Sequence, residues 1–335
     1  IYTQAVIYMQ IVCIGSFFLN MQVVFEKILQ STGNMIAPMI CSLTGAVINI
    51  ILDPILIFGL LGAPRLEVAG AAIATITGQL FGMLVGAFII FKGEHLVSIQ
   101  VRGFKFNWEI VADIYKVGLP SIVMQSIGSM MIIFYNMILV VYSTTAVAVL
   151  GVYFKIQSFV FMPVFGLNQG AMPIMGYNYG ARNRRRLMGA YRITLTAAVV
   201  IMALGLVLFQ LLPEQMLMLF VARTDAAAAQ EMIAVGVPAT QTISLSFLGA
   251  AFGIVNSTLF QATARGMNSL IVSVCRQLVV ILPAAWILGQ QFGLNAVWYA
   301  FPIAEVASFF ISYILLWREY RTELRFLGTE KEKKA

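Results

Sequence analysis

Of the 14 acidic side chains in this sequence, Glu26, Asp53 and Glu305 fall inside long apolar runs. Asp53 stands in "INIILDPILIF" at 48–58, with Asn49 one helical turn earlier and Pro54 directly after it. Residues four apart share a helix face, so the acid and the amide can act on one ligand. A charged Asp at the centre of a membrane helix costs about 2.5–3.5 kcal/mol on insertion scales. Apolar surroundings penalise the charged form, so such an acid takes a proton or holds a cation. Pro54 has no N–H, which frees a helical carbonyl and permits a bend beside the acid. Acid, amide and freed carbonyl together make a donor set for H⁺ or Na⁺. The competing reading is an Asp that merely bonds a neighbouring helix.

The other intramembrane charges read differently. Glu26 lies near one end of its run beside Lys27, where it can either snorkel to water or serve a substrate. Helical rise separates it from Asp53 by on the order of 15 Å in depth, so the two are not one site. Arg276 and Glu305 sit in consecutive runs and are expected to pair structurally. Lys155 has no obvious acidic partner; it either faces a cavity or snorkels outward. No acid occurs from Ile114 to Pro213 or from Met232 to Ala304, so ion coupling should rest on the first part of the chain.

Several chemistries are excluded. A single histidine, His95, cannot support catalysis built on several imidazoles. Cys13, Cys41 and Cys275 are far apart in apolar runs and show no disulfide framework or metal-ligand spacing. No HExxH, GxSxG or P-loop is present, so neither an intramembrane enzyme nor an ATP-driven pump is supported, and no cofactor is expected. The net charge of +7 is spread over short loops between apolar runs, which speaks against nucleic acid.

The elements that must position these residues are membrane helices. The chain is 60% hydrophobic and 10% charged, against about 25% charged in a soluble domain. Hydropathy predicts nine spans, over 4–31, 36–60, 69–92, 116–142, 145–176, 187–212, 230–261, 268–288 and 293–317. Lys and Arg crowd into alternate loops and the last stretch, while the opposite side carries only Arg65 and Arg223. The positive-inside rule then makes the C-terminus cytoplasmic in a multi-pass plasma-membrane protein. Nine crossings place Ile1 outside, and an odd number of preceding helices would repair that.

An internal repeat gives the same number. "LQSTGNM" at 29–35 and "FQATARGM" at 260–267 each follow a long helix and precede two more spans, six crossings apart. That is a parallel repeat. The expected architecture is all-α: two pseudo-symmetric six-helix lobes, the first without its first three helices. The lobes would span 1–92 and 116–317, joined by a cytoplasmic linker at 93–115 and followed by a basic tail at 318–335. The linker's spaced apolar residues fit an interfacial amphipathic helix or a plain solvated connection. Met and Phe mix with Gln125, Asn136, Gln157 and Asn168 in "MQSIGSMMIIFYNM" (124–137) and "FKIQSFVFMPVFGLNQ" (154–169). Such a lining would accept amphipathic organic cations, although ordinary membrane core explains each residue singly.

"NIILDPILIFG" (49–59), "GAAIATITGQ" (70–79), "PIMGYNYGARN" (173–183), "RQLVVILP" (276–283) and "FPIAE" (301–305) together resemble the multidrug and toxic compound extrusion (MATE) transporters, bacterial exporter type. The resemblance runs the whole chain and implies the fourth to twelfth of twelve helices. It further implies that Asn49 and Asp53 bind the coupling cation with Thr75, completed by a first-helix Asp that this chain does not contain. It implies a substrate role for Glu26. The expected activity is H⁺- or Na⁺-driven export of organic cations or drugs by a monomer in the bilayer. A lipid-linked oligosaccharide flippase of related fold is the alternative, disfavoured because no span carries the clustered arginines that a pyrophosphate would need.

Overall fold

The computed structural model describes residues 2–92, 106–220 and 226–328. Helices account for nearly all of them, and among the described residues there is no strand. Among the described residues eight helices are long and apolar enough to cross a bilayer; a bent pair makes a ninth span if counted as one. The protein is an all-α, polytopic membrane protein. It divides into two compact units, residues 1–106 and 107–335. His95 and the expected amphipathic stretch at 93–105 lie outside the described residues.

The first unit contains α1 (Tyr2–Ser31), α2 (Ile36–Phe58) and α3 (Glu67–Lys92). Helix α3 is the middle one, because a run of small residues (Gly70, Ala74, Gly78, Gly82, Gly86) is buried along it. In lipid, where apolar surface gains little from helix contact, such residues let backbones approach and pack. The approach is closest between α2 and α3. A Cβ on Gly78 would stand 2.5 Å from the Gly45 carbonyl oxygen, and one on Gly70 would stand 2.5 Å from that of Leu56. The two contacts fix an antiparallel register in which Asn49 lies level with the Thr75 turn of α3.

The repeated motifs fold alike. In "LQSTGNM", the Asn34 N–H donates to Leu29 O across a left-handed Gly33 (φ 82°). In "FQATARGM", Arg265 N–H donates to Phe260 O across a left-handed Ala264 (φ 60°). "YNYGARN" does the same, with Asn183 N–H on Asn178 O across Arg182 (φ 53°). Each bond closes over the last helical turn and satisfies a carbonyl that the helix end would orphan. Asn34 and Asn183 then cap the next helix through their side-chain oxygens, on Ala37 and Arg186 N–H.

The second unit holds α4 (Trp108–Val140), α5 (Thr144–Gly180), α6 (Arg184–Leu211), α7 (Pro213–Met218), α8 (Ala226–Ser244), α9 (Phe247–Ala262), α10 (Gly266–Val274), α11 (Ile281–Phe292), α12 (Leu294–Val297) and α13 (Ala300–Glu319). Helix α4 starts eight residues before the expected 116, because Asn107 caps it by accepting from Glu109 N–H. The expected span at 230–261 is two helices bent by 49°, with the Ser246 hydroxyl donating to Ile243 O at the break. Between α10 and α11 the chain widens into a π-helical turn, Cys275–Val280, which carries Arg276. The core is aromatic: Tyr135, Tyr153, Phe209, Phe247 and Trp298 are fully buried.

The stretch from 318 is packed rather than free. Helix α13 runs to Glu319 and continues as a second π-helical turn, Tyr320–Leu324. Glu319 is buried, accepts from the Thr263 hydroxyl at 2.7 Å and lies 3.7 Å from Arg265 Nε. Glu323 bonds both Arg265 and Tyr179, and Arg184 bonds the Tyr320 hydroxyl. Leu324 and Leu327 are buried as well. This clasp ties the α5–α6 connection, the α9–α10 turn and the chain beyond α13 together.

Candidate functional site

Helix α2 forms from an apolar run whose first proline, Pro38, falls in the tolerant first turn, and it ends where Gly59 takes a left-handed conformation (φ 74°). That geometry puts Gly45, Asn49 and Asp53 on successive turns of one face. Gly45 abuts Gly78 of α3, and a Cβ on Gly78 would stand 3.2 Å from Asn49 Cβ. Asn49 and Asp53 are both half-buried. Asn49 Nδ2 and Asp53 Oδ1 are buried atoms without a hydrogen-bond partner. Leaving a buried polar atom unpaired costs about 1–3 kcal/mol, more if charged. A donor and an acceptor left unpaired on the same face suit a small guest.

Thr75 is half-buried on α3, and its hydroxyl donates back to Ala71 O at 2.9 Å. No hydrogen bond joins it to Asn49 or Asp53, although its second lone pair faces no competing donor among the bonds described. Among the described residues no three His, Cys, Asp or Glu side chains cluster as a metal site. A Na⁺ here would therefore depend on amide, hydroxyl and carbonyl oxygens around one carboxylate.

Glu26 is half-buried. Its Oε1 accepts from Gln22 Nε2 at 2.9 Å and from the Ser42 hydroxyl at 2.7 Å, which bridges α1 to α2. Arg276 Nη1 meets Glu305 Oε1 at 3.2 Å, the pairing expected from sequence. Lys155 is exposed on α5.

The polar residues of the methionine- and phenylalanine-rich stretches differ in exposure. Gln125 is exposed on α4, while Asn136 on α4 and Gln157 on α5 are half-buried. Asn168 is buried and turns its amide back to Val164 O at 2.8 Å. The second unit does hold a groove of about 700 Å³ between α4 and α11, lined by Phe134, Met137, Tyr142, Leu282, Pro283 and Trp286. Phe134 and Met137 belong to a stretch singled out from sequence; Pro283 and Trp286 were missed, because composition within one helix does not show which helix faces it.

Comparison with known proteins places this geometry. The chain is 28% identical to the multidrug export protein MepA of Staphylococcus aureus (strain bovine RF122 / ET3-1) over 312 residues, 92% of this chain and 66% of that protein. It is 27% identical to MepA of Staphylococcus saprophyticus over the same shares. The chain thus spans about two thirds of the length of these curated relatives. Among solved structures it resembles an outward-facing multidrug resistance MATE family transporter of the MOP superfamily. The TM-score is 0.86 at 28% identity, over 97% of this chain and 70% of that one. It also resembles a MOP superfamily transporter from Pyrococcus furiosus, described by a reversed polarity of its binding pocket, with TM-score 0.87 at 28% identity and the same coverage. The MatE family model matches residues 1–55 and 120–287, more than half of the chain and both of its units. With the all-helical, membrane-spanning fold and the motifs in order, this chain belongs to the MatE family, a family of transporters rather than enzymes.

Proposed function

We propose that the chain works in a secondary multidrug exporter, in which inward movement of H⁺ or Na⁺ drives amphipathic organic cations outward by alternating access between two lobes. The observation that carries this reading is the pair of unpartnered buried atoms, Asn49 Nδ2 and Asp53 Oδ1, inside an apolar helix. The names of the staphylococcal relatives supply the cargo class. The lobes correspond to 1–92 and 116–317, the linker to 93–115 and the tail to 318–335, with a monomer as the working unit. Asn49, Asp53 and Thr75 form the cation-coupling set; Glu26, Gln125, Asn136, Gln157 and Asn168 serve substrate or coupling. The driving force suffices, since one charge crossing 100 mV releases about 2.3 kcal/mol.

Cells expressing the protein as its gene encodes it are expected to accumulate less ethidium, and dissipating both ion gradients should erase the difference. Export that survives on ATP alone with all gradients gone would end the antiport reading. The orientation follows the basic loops, with the C-terminus cytoplasmic. A cysteine replacing Arg185 should therefore react with an impermeant maleimide only from the cytoplasmic side, and one replacing Arg65 only from outside. Labelling of both from one side would overturn the topology.

A further inference from the structure

The second unit contains a buried carboxylate oxygen that no part of the coupling reading uses. Glu305 Oε1 is held by Arg276, but Glu305 Oε2 is buried without a partner, and so is the hydroxyl of Ser308 one turn further along α13. Helix α9 crosses at this level with Gly249 and Gly253. A Cβ on Gly253 would stand 3.6 Å from Ser308 Oγ, 3.8 Å from Arg276 Nη1 and 3.9 Å from Glu305 Oε2. The three nearest side-chain atoms to that point are thus a hydroxyl, a guanidinium nitrogen and a carboxylate oxygen.

We propose that Gly253, Arg276, Glu305 and Ser308 enclose a site for a single water molecule, through which Glu305 exchanges a proton independently of Asp53.

The chemistry of the lining selects the guest. A bound water needs two to four polar partners, and three border the space that Gly253 faces: Arg276 donates, Glu305 accepts and Ser308 does either. A metal cation is disfavoured, because the guanidinium stands as close to the point as the carboxylate does. An ionised carboxylate accepts at both oxygens, and one left bare in a protein interior is costly. Water relieves that cost, and as hydronium it delivers a proton to Oε2 and leaves as water, so charge and atoms balance.

The surroundings contain little else that titrates. The elements packed on α13 are α8 to α11, the π-helical turn before α11 and the one after α13. Of these, α9, α10 and α11 carry no ionisable side chain, and the first π-helical turn brings Arg276 with Cys275 beside it. Glu231 of α8 is engaged with Thr145 elsewhere, and Arg321 and Glu323 lie beyond the end of α13. From α5, Tyr153 is buried with its hydroxyl unpartnered. Its ring centroid is 6.3 Å from that of Phe301, one turn before Glu305. Arg276 itself rides on a π-helical turn, a local widening that recurs at functional sites and leaves the backbone a tighter alternative.

The test counts protons in the purified protein, without transport. A pH-indicator dye reports uptake as the sample is taken from about pH 8 to about pH 5, a range that ends above the ordinary carboxylate values of about 4 and so leaves most surface acids ionised. Glu305→Gln is expected to take up about one proton fewer than the wild type. Because Glu305→Gln strands Arg276, the neutral pair Arg276→Gln/Glu305→Gln serves as the second variant, with the same loss expected. In an Asp53→Asn background Glu305→Gln should lose the same proton, so failure of either site is read separately. Ser308→Ala and Gly253→Ala keep the acid but remove a water partner or fill the point; both should shift the midpoint of the Glu305 proton without removing it. Equal uptake in the wild type and both glutamine variants would show a permanently ionised pair and overturn the proposal. Unshifted midpoints in Ser308→Ala and Gly253→Ala would overturn the water site.

Discussion

Asp53→Asn, made in the protein as its gene encodes it, is expected to abolish gradient-driven export while leaving insertion and folding intact. The side chain keeps its shape and an oxygen where Oδ1 now lies unpartnered. What it loses is the ability to change charge. Neutral Asp53 can rest against Asn49 on the α2 face, whereas ionised Asp53 needs a cation or water. Two conformations that treat those forms differently are shifted by the ion only in proportion to its differential affinity. A difference of one pKa unit between conformations is worth about 1.4 kcal/mol, a tenfold change in their ratio. The asparagine variant removes that lever, so substrate can still bind while uphill transport stops. Ethidium efflux from energised cells reads the outcome, with membrane yield as the control. Efflux at the wild-type rate would make Asp53 a structural residue.

The second large effect concerns a single methyl group. Gly78→Ala is expected to lower the melting temperature of the purified protein and to weaken export, although alanine is a better helix former than glycine. The added Cβ would stand 2.5 Å from Gly45 O and 3.2 Å from Asn49 Cβ, so α2 and α3 must move apart. Overpacking of this kind costs about 1–3 kcal/mol. In domains of about 150–250 residues each kcal/mol lowers the melting point by about 2–4 °C, and the shift shrinks as the chain lengthens. Gly166→Ala on α5 is the control, since nothing lies within 4 Å of the Cβ it would add. Equal melting of the two variants would refute the α2–α3 register on which the level of Asn49 depends.

The face shared by Asn49 and Asp53 was legible in the sequence, because four residues make about one helical turn and no tertiary information is needed. So was the pairing of Arg276 with Glu305, since two opposite charges in consecutive apolar spans have few other partners. The three chain reversals were legible as motifs, but the left-handed residue within them was not always glycine: Arg182 and Ala264 take that conformation too. What stayed hidden depends on which helix faces which. Glu26 meets Ser42 of the next helix, a contact that no periodicity within one helix specifies. The bend between α8 and α9 carries no proline at the break, and the π-helical turn at Arg276 carries no sequence signature at all. Asn168 donates its amide to Val164 of its own helix, a bond that its polarity alone does not reveal.

The clasp beyond α13 bears on how the chain can be cut and joined. A hydropathy plot places the last apolar residue near Trp317 and invites trimming just after it. A cut there discards Glu319 and Glu323 together, and Arg265 loses both of its carboxylate partners while Arg184 loses the Tyr320 hydroxyl and Arg325 O. Arg265 would then be left without the two carboxylates that neutralise it. Gly328, left-handed at φ 73° and close against Arg182 O, still belongs to the clasp. A reporter or affinity label belongs after that glycine and not before it.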